Sequence, residues 1–157
     1  MKKMNNKGFS LVELIIVIAI MAILIVVLAP QYLKYVEKSR NSTDLQSVTE
    51  FKDAIEVWAA DPDAGSGSTV AFKKNDTFTI TCDGAVSNGE ASLGGGSGDA
   101  AVNSALDEAG LLLKNLKCTS RTNWTKFVIK GTVQDSGAIE WDYSGSPTEF
   151  QTAIGAN

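Results

Sequence analysis

The 157-residue chain carries 14 Lys and Arg against 18 Asp and Glu, a net charge of −4, and contains no histidine. An acidic balance disfavours nucleic acid as a partner, because phosphates are held by Lys and Arg. With Cys82 and Cys118 far apart and no histidine, the usual ligand spacings of zinc and redox sites are missing, so no metal or cofactor is expected and catalytic chemistry is poorly supplied.

The composition is uneven. Residues 9 to 29 are almost purely apolar, whereas everything from Gln31 onward is polar, acidic and rich in Gly, Ser and Thr. Lys2, Lys3 and Lys7 precede the apolar run and place the N-terminus in the cytoplasm. Phe9 to Ala29 is 21 residues, close to the roughly 20 that a membrane-spanning helix needs. The run is longer than the roughly 7 to 15 apolar residues of a secretory signal, and no A-x-A site follows it.

Glu13 stands four residues inside this segment. The Leu, Ile and Val residues between Leu14 and Ala29 each favour insertion by about 0.3 to 0.6 kcal/mol, against a cost of about 3 for one acidic side chain at mid-membrane, so the segment inserts regardless. A carboxylate retained in a membrane helix marks a partner or a function. The simpler reading, an acid in the first turns of a helix, is worth only about 0.3 to 1 kcal/mol through the dipole, less than the insertion cost.

Lys7-Gly8-Phe9-Ser10-Leu11-Val12-Glu13-Leu14 resembles the class III signal of type IV pilins. The resemblance covers the short basic leader, Gly before the cut, Phe after it and Glu at the fifth mature position, and Pro30 falls where many pilins carry a helix-loosening proline. It implies that prepilin peptidase cuts between Gly8 and Phe9 and that Phe9 becomes N-methylated. Loss of three lysines would leave 11 basic against 18 acidic side chains, a balance of −7. It would also create an amino group at Phe9 about one helical turn from Glu13. In a filament core Glu13 would be buried and would need neutralising, and the amino group of a neighbouring subunit supplies the match.

Beyond Gln31 the pattern stays helical and turns amphipathic, with Leu33, Val36, Leu45, Val48, Phe51, Ile55 and Trp58 at steps of three or four. Glu37, Lys38, Arg40, Asp44, Glu50, Lys52, Asp53 and Glu56 read as a solvated face or as intersubunit contacts. Asp61-Pro62 stops the helix, so one helix of roughly 75 to 80 Å is expected from Phe9 to Ala60. Pro30 removes one backbone hydrogen bond and predicts a kink or local melting.

Residues 61 to 69 read as a loop, and although Asp61 and Asp63 partly match a calcium loop, Gly65 stands where an oxygen ligand is required. Val70 to Phe72 and Thr77 to Cys82 read as strands, 83 to 98 as a Gly/Ser-rich loop, and 99 to 116 as a helix with Val102, Leu106, Ala109, Leu113 and Leu116 on one face. Trp124 to Gln134 and Ala138 to Tyr143 form a hairpin about Asp135-Ser136-Gly137, and residues 145 to 157 show no period. Cys82 and Cys118 either form a disulfide, closing a loop of 37 residues, or remain two buried thiols. The N-x-S/T triplets at Asn41, Asn75 and Asn123 carry little weight in so Ser/Thr-rich a chain.

The elements add up to an α+β fold, a long helix laid on an antiparallel sheet, which the resemblance also implies. The division is a leader (1–8), a transmembrane and filament-core helix (9–30), the amphipathic half of that helix (31–60) and a globular head (61–157). The function implied is structural and non-enzymatic: a homo-oligomeric helical filament used for adhesion, twitching motility or biofilm formation. Its subunit is single-pass in the cytoplasmic membrane before assembly and surface-exposed afterwards, with prepilin peptidase and the pilus assembly machinery as partners. A pseudopilin of a type II secretion or DNA-uptake system shares the N-terminal argument, and a membrane-tethered ligand-binding domain ranks below both.

Overall fold

The computed structural model describes residues 9–67 and 69–155. They divide into two compact units, with the division after Val36. In chain order the elements are helix α1 (Leu11–Ala60), strand β1 (Thr77–Asp83), strand β2 (Ala91–Leu93), helix α2 (Asp99–Glu108), strand β3 (Lys126–Val133), strand β4 (Ile139–Asp142) and helix α3 (Thr148–Ile154). The sheet is antiparallel in the order β2-β1-β3-β4.

Helix α1 begins where Ser10 and Glu13 satisfy its first N–H groups. Ser10 Oγ accepts from Val12 N at 3.3 Å, and Glu13 Oε2 accepts from Ser10 N at 2.9 Å, a reciprocal capping box. The helix passes through Pro30 and ends before Pro62. It is the one described helix long and apolar enough to cross a membrane, and the side chains of that stretch are exposed.

In the second unit the apolar stripe of α1 is buried as its spacing predicts: Val48, Phe51, Ile55 and Trp58 are at most 7% exposed. They share a core with Phe78, Ile80 and Cys82 of β1 and Phe127 and Ile129 of β3. The strand residues alternate inward and outward with the period of two that a half-buried strand requires.

Several expectations are corrected. Residues 70 to 72 form no strand: the Val70 carbonyl accepts from Trp58 Nε1 at 3.1 Å and its N–H donates to Ser104 Oγ at 3.0 Å, so side chains satisfy this backbone without a strand partner. Conversely, the expected loop 83 to 98 contains β2, paired through Ile80 to Leu93 and Cys82 to Ala91. The chain reverses between the two strands over residues 84 to 90, where Asn88 and Gly89 take positive φ (57° and 80°). Helix α2 ends at Glu108 rather than 116 because Gly110 adopts φ 70°, with Gly110 N donating to Asp107 O and Leu111 N to Leu106 O, a Schellman stop. The tail without a period contains α3, fastened by Phe150, whose ring stacks on Phe127 at 4.6 Å and meets Trp124 edge-on at 5.4 Å.

Gly131 in β3 faces the Phe78 ring, and a Cβ there would lie 2.1 Å from Phe78 Cζ. Phe78 is 1% exposed and flanked by Phe72 and Trp141, so it has nowhere to retreat. Gly131→Ala should destabilise the head by about 1 to 3 kcal/mol, the usual cost of overpacking. Urea unfolding of the detergent-solubilised chain, followed by tryptophan fluorescence, reads this as a lowered midpoint; an unchanged midpoint would show that the ring shifts freely.

Candidate functional site

Phe9 and Glu13 lie within the first described turns. Phe9 is 89% exposed, and from Leu11 to Leu28 every Leu, Ile, Val and Met presents about half or more of its surface. Glu13 is the single charged group among these side chains, and its carboxylate turns back onto the backbone of Ser10, next to Phe9. Gly8, the expected cleavage residue, and the leader lysines lie outside the described residues. Pro30 sits inside α1 and offers no N–H to the Val26 carbonyl.

A second set of acids on α1 behaves differently from the solvated face that their charge suggests. Glu37 and Asp44, two turns apart on one face, are 9% and 1% exposed. Asp44 accepts from Thr119 N (2.9 Å), Ser120 N (3.0 Å) and Trp124 Nε1 (2.9 Å), and also from the Thr119 hydroxyl. Glu37 Oε1 accepts from Ser120 Oγ (2.7 Å), Arg121 N (2.6 Å) and Thr122 N (2.8 Å), while its Oε2 lies 3.5 Å from Arg40 Nη1. The segment 119–124 is therefore pinned to α1 by two carboxylates that take up four of its donors from the backbone. Burial opposes ionisation of Glu37, but the hydrogen bonds from Ser120, Thr122 and Arg121 outweigh it and hold the carboxyl at about 2 instead of its ordinary 4.5.

Charge alone could not single out these two acids, because Glu37 and Asp44 read like the exposed acids around them. The available signal was their placement: with Val48 and Ile55, Glu37 and Asp44 continue the buried stripe toward the N-terminus.

In the structure Cys82 and Cys118 are free, buried thiols. Burial, with the charges of Cys118 and Asp44 behind it, pushes the Cys82 thiol far above its ordinary value. Burial likewise raises Cys118 to about 11, and its Sγ donates to the Trp124 carbonyl at 3.4 Å. Neither is a thiolate at neutral pH, which makes both poor nucleophiles. Among the described residues no group of three His, Cys, Asp or Glu side chains could hold a metal ion. Asn75 and Asn123 are exposed, whereas Asn41 is half buried.

These contacts set three expectations. Asp44→Ala would strand four donors, two of them buried, and should cost about 3 to 5 kcal/mol, read as a lowered urea midpoint. Because the Glu37 carboxyl is lowered by folding, its stabilising effect is complete above pH 4.5 and fades as pH falls toward 2. Midpoints measured down that range should fall less steeply for Glu37→Gln than for the unaltered chain, and equal slopes would show that Glu37 is not the group responsible. For the thiols, alkylation without reductant should label neither in the native protein and both after unfolding; unfolded protein that still resists labelling would reveal a disulfide.

Comparison with known proteins bears on the N-terminal segment first. The family model for the prokaryotic N-terminal methylation motif matches residues 3–29. A type IV major fimbrial protein FimA of Dichelobacter nodosus is 34% identical over 70 residues, 45% of each chain. Prepilin peptidase-dependent protein A of Clostridium perfringens is 36% identical over 72 residues, 45% of this chain and 51% of its own. In these matches the chain spans about half the length of the relatives. Fimbrial protein EcpC of Eikenella corrodens is 28% identical over 157 residues, 93% of this chain and 87% of its own. No solved structure matches significantly. The methylation motif, the α+β fold and the similarity to fimbrial proteins together support a type IV pilin with a class III signal peptide.

Proposed function

We propose that this pilin is a major subunit, cleaved between Gly8 and Phe9 by prepilin peptidase, N-methylated on Phe9 and polymerised through α1 into a cell-surface filament that serves adhesion, motility or biofilm formation. One observation carries the reading: an exposed apolar surface runs along α1 from Phe9 to Leu28, interrupted by a single carboxylate at its start. An apolar surface of that length is stable only in lipid or against like helices. The chain occupies both in turn. It is a single-pass anchor with a cytoplasmic N-terminus until the pilus assembly machinery draws it out, and it belongs to a bundle of identical helices afterwards.

Glu13 gives that bundle its register. Its carboxylate already lies against the Ser10 N–H, one residue from the amino group that cleavage would create at Phe9. In lipid the capping contact with Ser10 eases the cost of the acid, and in the polymer the Phe9 amine of a neighbour cancels its charge. Without such a partner a buried carboxylate is prohibitively costly. Pro30 weakens α1 at one point, where the filament helix can bend or melt. The fimbrial names of the relatives favour a pilus over a secretion pseudopilin.

Glu13→Val should leave a membrane-inserted protein that is made normally and recovered in sheared filaments at a small fraction of the usual yield. N-terminal sequencing of the main filament subunit should start at Phe9. Surface filaments built from chains that retain residues 1 to 8 would overturn the reading.

A further inference from the structure

The C-terminal end of α1 and helix α2 enclose an open groove of about 450 Å³. Its apolar lining includes Ala54, Val57 and Ala105, and its acidic lining is Asp53, Asp61 and Glu108. Val57 is 71% exposed, more than any other large apolar side chain described beyond residue 36. No ion pair joins the three carboxylates to a cation among the described residues. An apolar strip ringed by uncompensated acids repels anionic surfaces. It suits the aliphatic stem and cationic head of Lys or Arg.

The chain carries such side chains at the other end of the same helical segment. Lys38 and Arg121 are exposed, and no ion pair ties either to a carboxylate among the described residues. Arg121 is also held in place: its backbone N–H donates to Glu37 at 2.6 Å, so its position is set before any partner arrives. From residue 40 to residue 57 along α1 is about 25 Å, too far for one copy to fill its own groove with its own cations. A contact of groove to basic end between two copies is heterologous, and such contacts propagate into open helical assemblies instead of closing.

We infer that the groove between the end of α1 and α2 is a docking site for the Lys38 and Arg121 end of a second copy, a heterologous contact between globular heads that adds to the polymer contacts of the N-terminal helix. This inference rests on the filament reading above. The test places a photoreactive side chain in the groove, Val57→p-benzoylphenylalanine, in the full chain made in its own cells. Irradiation should give a self-crosslinked dimer whose second peptide comes from residues 38–40 or 117–126. Arg121→Glu should lower its yield about fivefold, the upper worth of an exposed ion pair, and adding Glu108→Lys should restore it.

Sheared filaments that begin at Phe9 but lack this crosslink would overturn the docking and leave the filament reading intact. The crosslink in membranes of cells whose filaments lack this chain would support the docking and overturn the filament reading. Crosslinking to lipid or to a different protein, or a yield indifferent to Arg121→Glu, would overturn the docking alone.

Discussion

The head depends on two carboxylates that leave water to hold a loop. Taking Glu37 and Asp44 out of solvent costs several kcal/mol each. What offsets the cost is the number and chemistry of their donors: backbone N–H groups of 119 to 122, two hydroxyls and the Trp124 indole converge on the two side chains. Hydrogen bonds to an ionised acceptor are each worth about 1.5 to 3 kcal/mol. They also free the segment from any need for a strand partner of its own, which is why it can cross from the 3₁₀ turn at Leu113–Asn115 to β3 as irregular chain over the core. Trp124 and Cys118 are thereby brought into that core.

Other packing follows from this anchorage. Once Trp124 is fixed by Asp44, its ring offers an edge to Phe150, and the stacked pair of Phe150 and Phe127 gives the short helix α3 its only fully buried side chain. At the opposite end of the segment, the Cys118 N–H donates to the Gly89 carbonyl, so the β1–β2 turn leans on the same strip of chain. A glycine is required there because a Cβ would lie 2.7 Å from the Cys118 carbonyl oxygen.

Four acids on one helix thus do three things. Glu13 caps the first turn and stands alone in an apolar surface, Glu37 and Asp44 are consumed by the fold, and Asp53 remains at the surface beside an apolar groove. Their chemistry is the same carboxylate; what differs is the set of donors each one meets.

Much of the protein was legible beforehand. The apolar run, the amphipathic stripe through Val48, Phe51, Ile55 and Trp58, the Pro62 stop and the β3–β4 hairpin all follow from local rules, because burial and turn chemistry act over a few residues. One feature carried a local signal that another pattern masked: Gly110 marked the true end of α2 against a continuing apolar period. The order of the strands, the loss of a strand at 70 to 72, the docking of α3 and above all the burial of Glu37 and Asp44 were decided only in three dimensions. Each depends on a partner tens of residues away, and a carboxylate's environment is set by the donors that the fold brings to it, which periodicity along one helix does not encode.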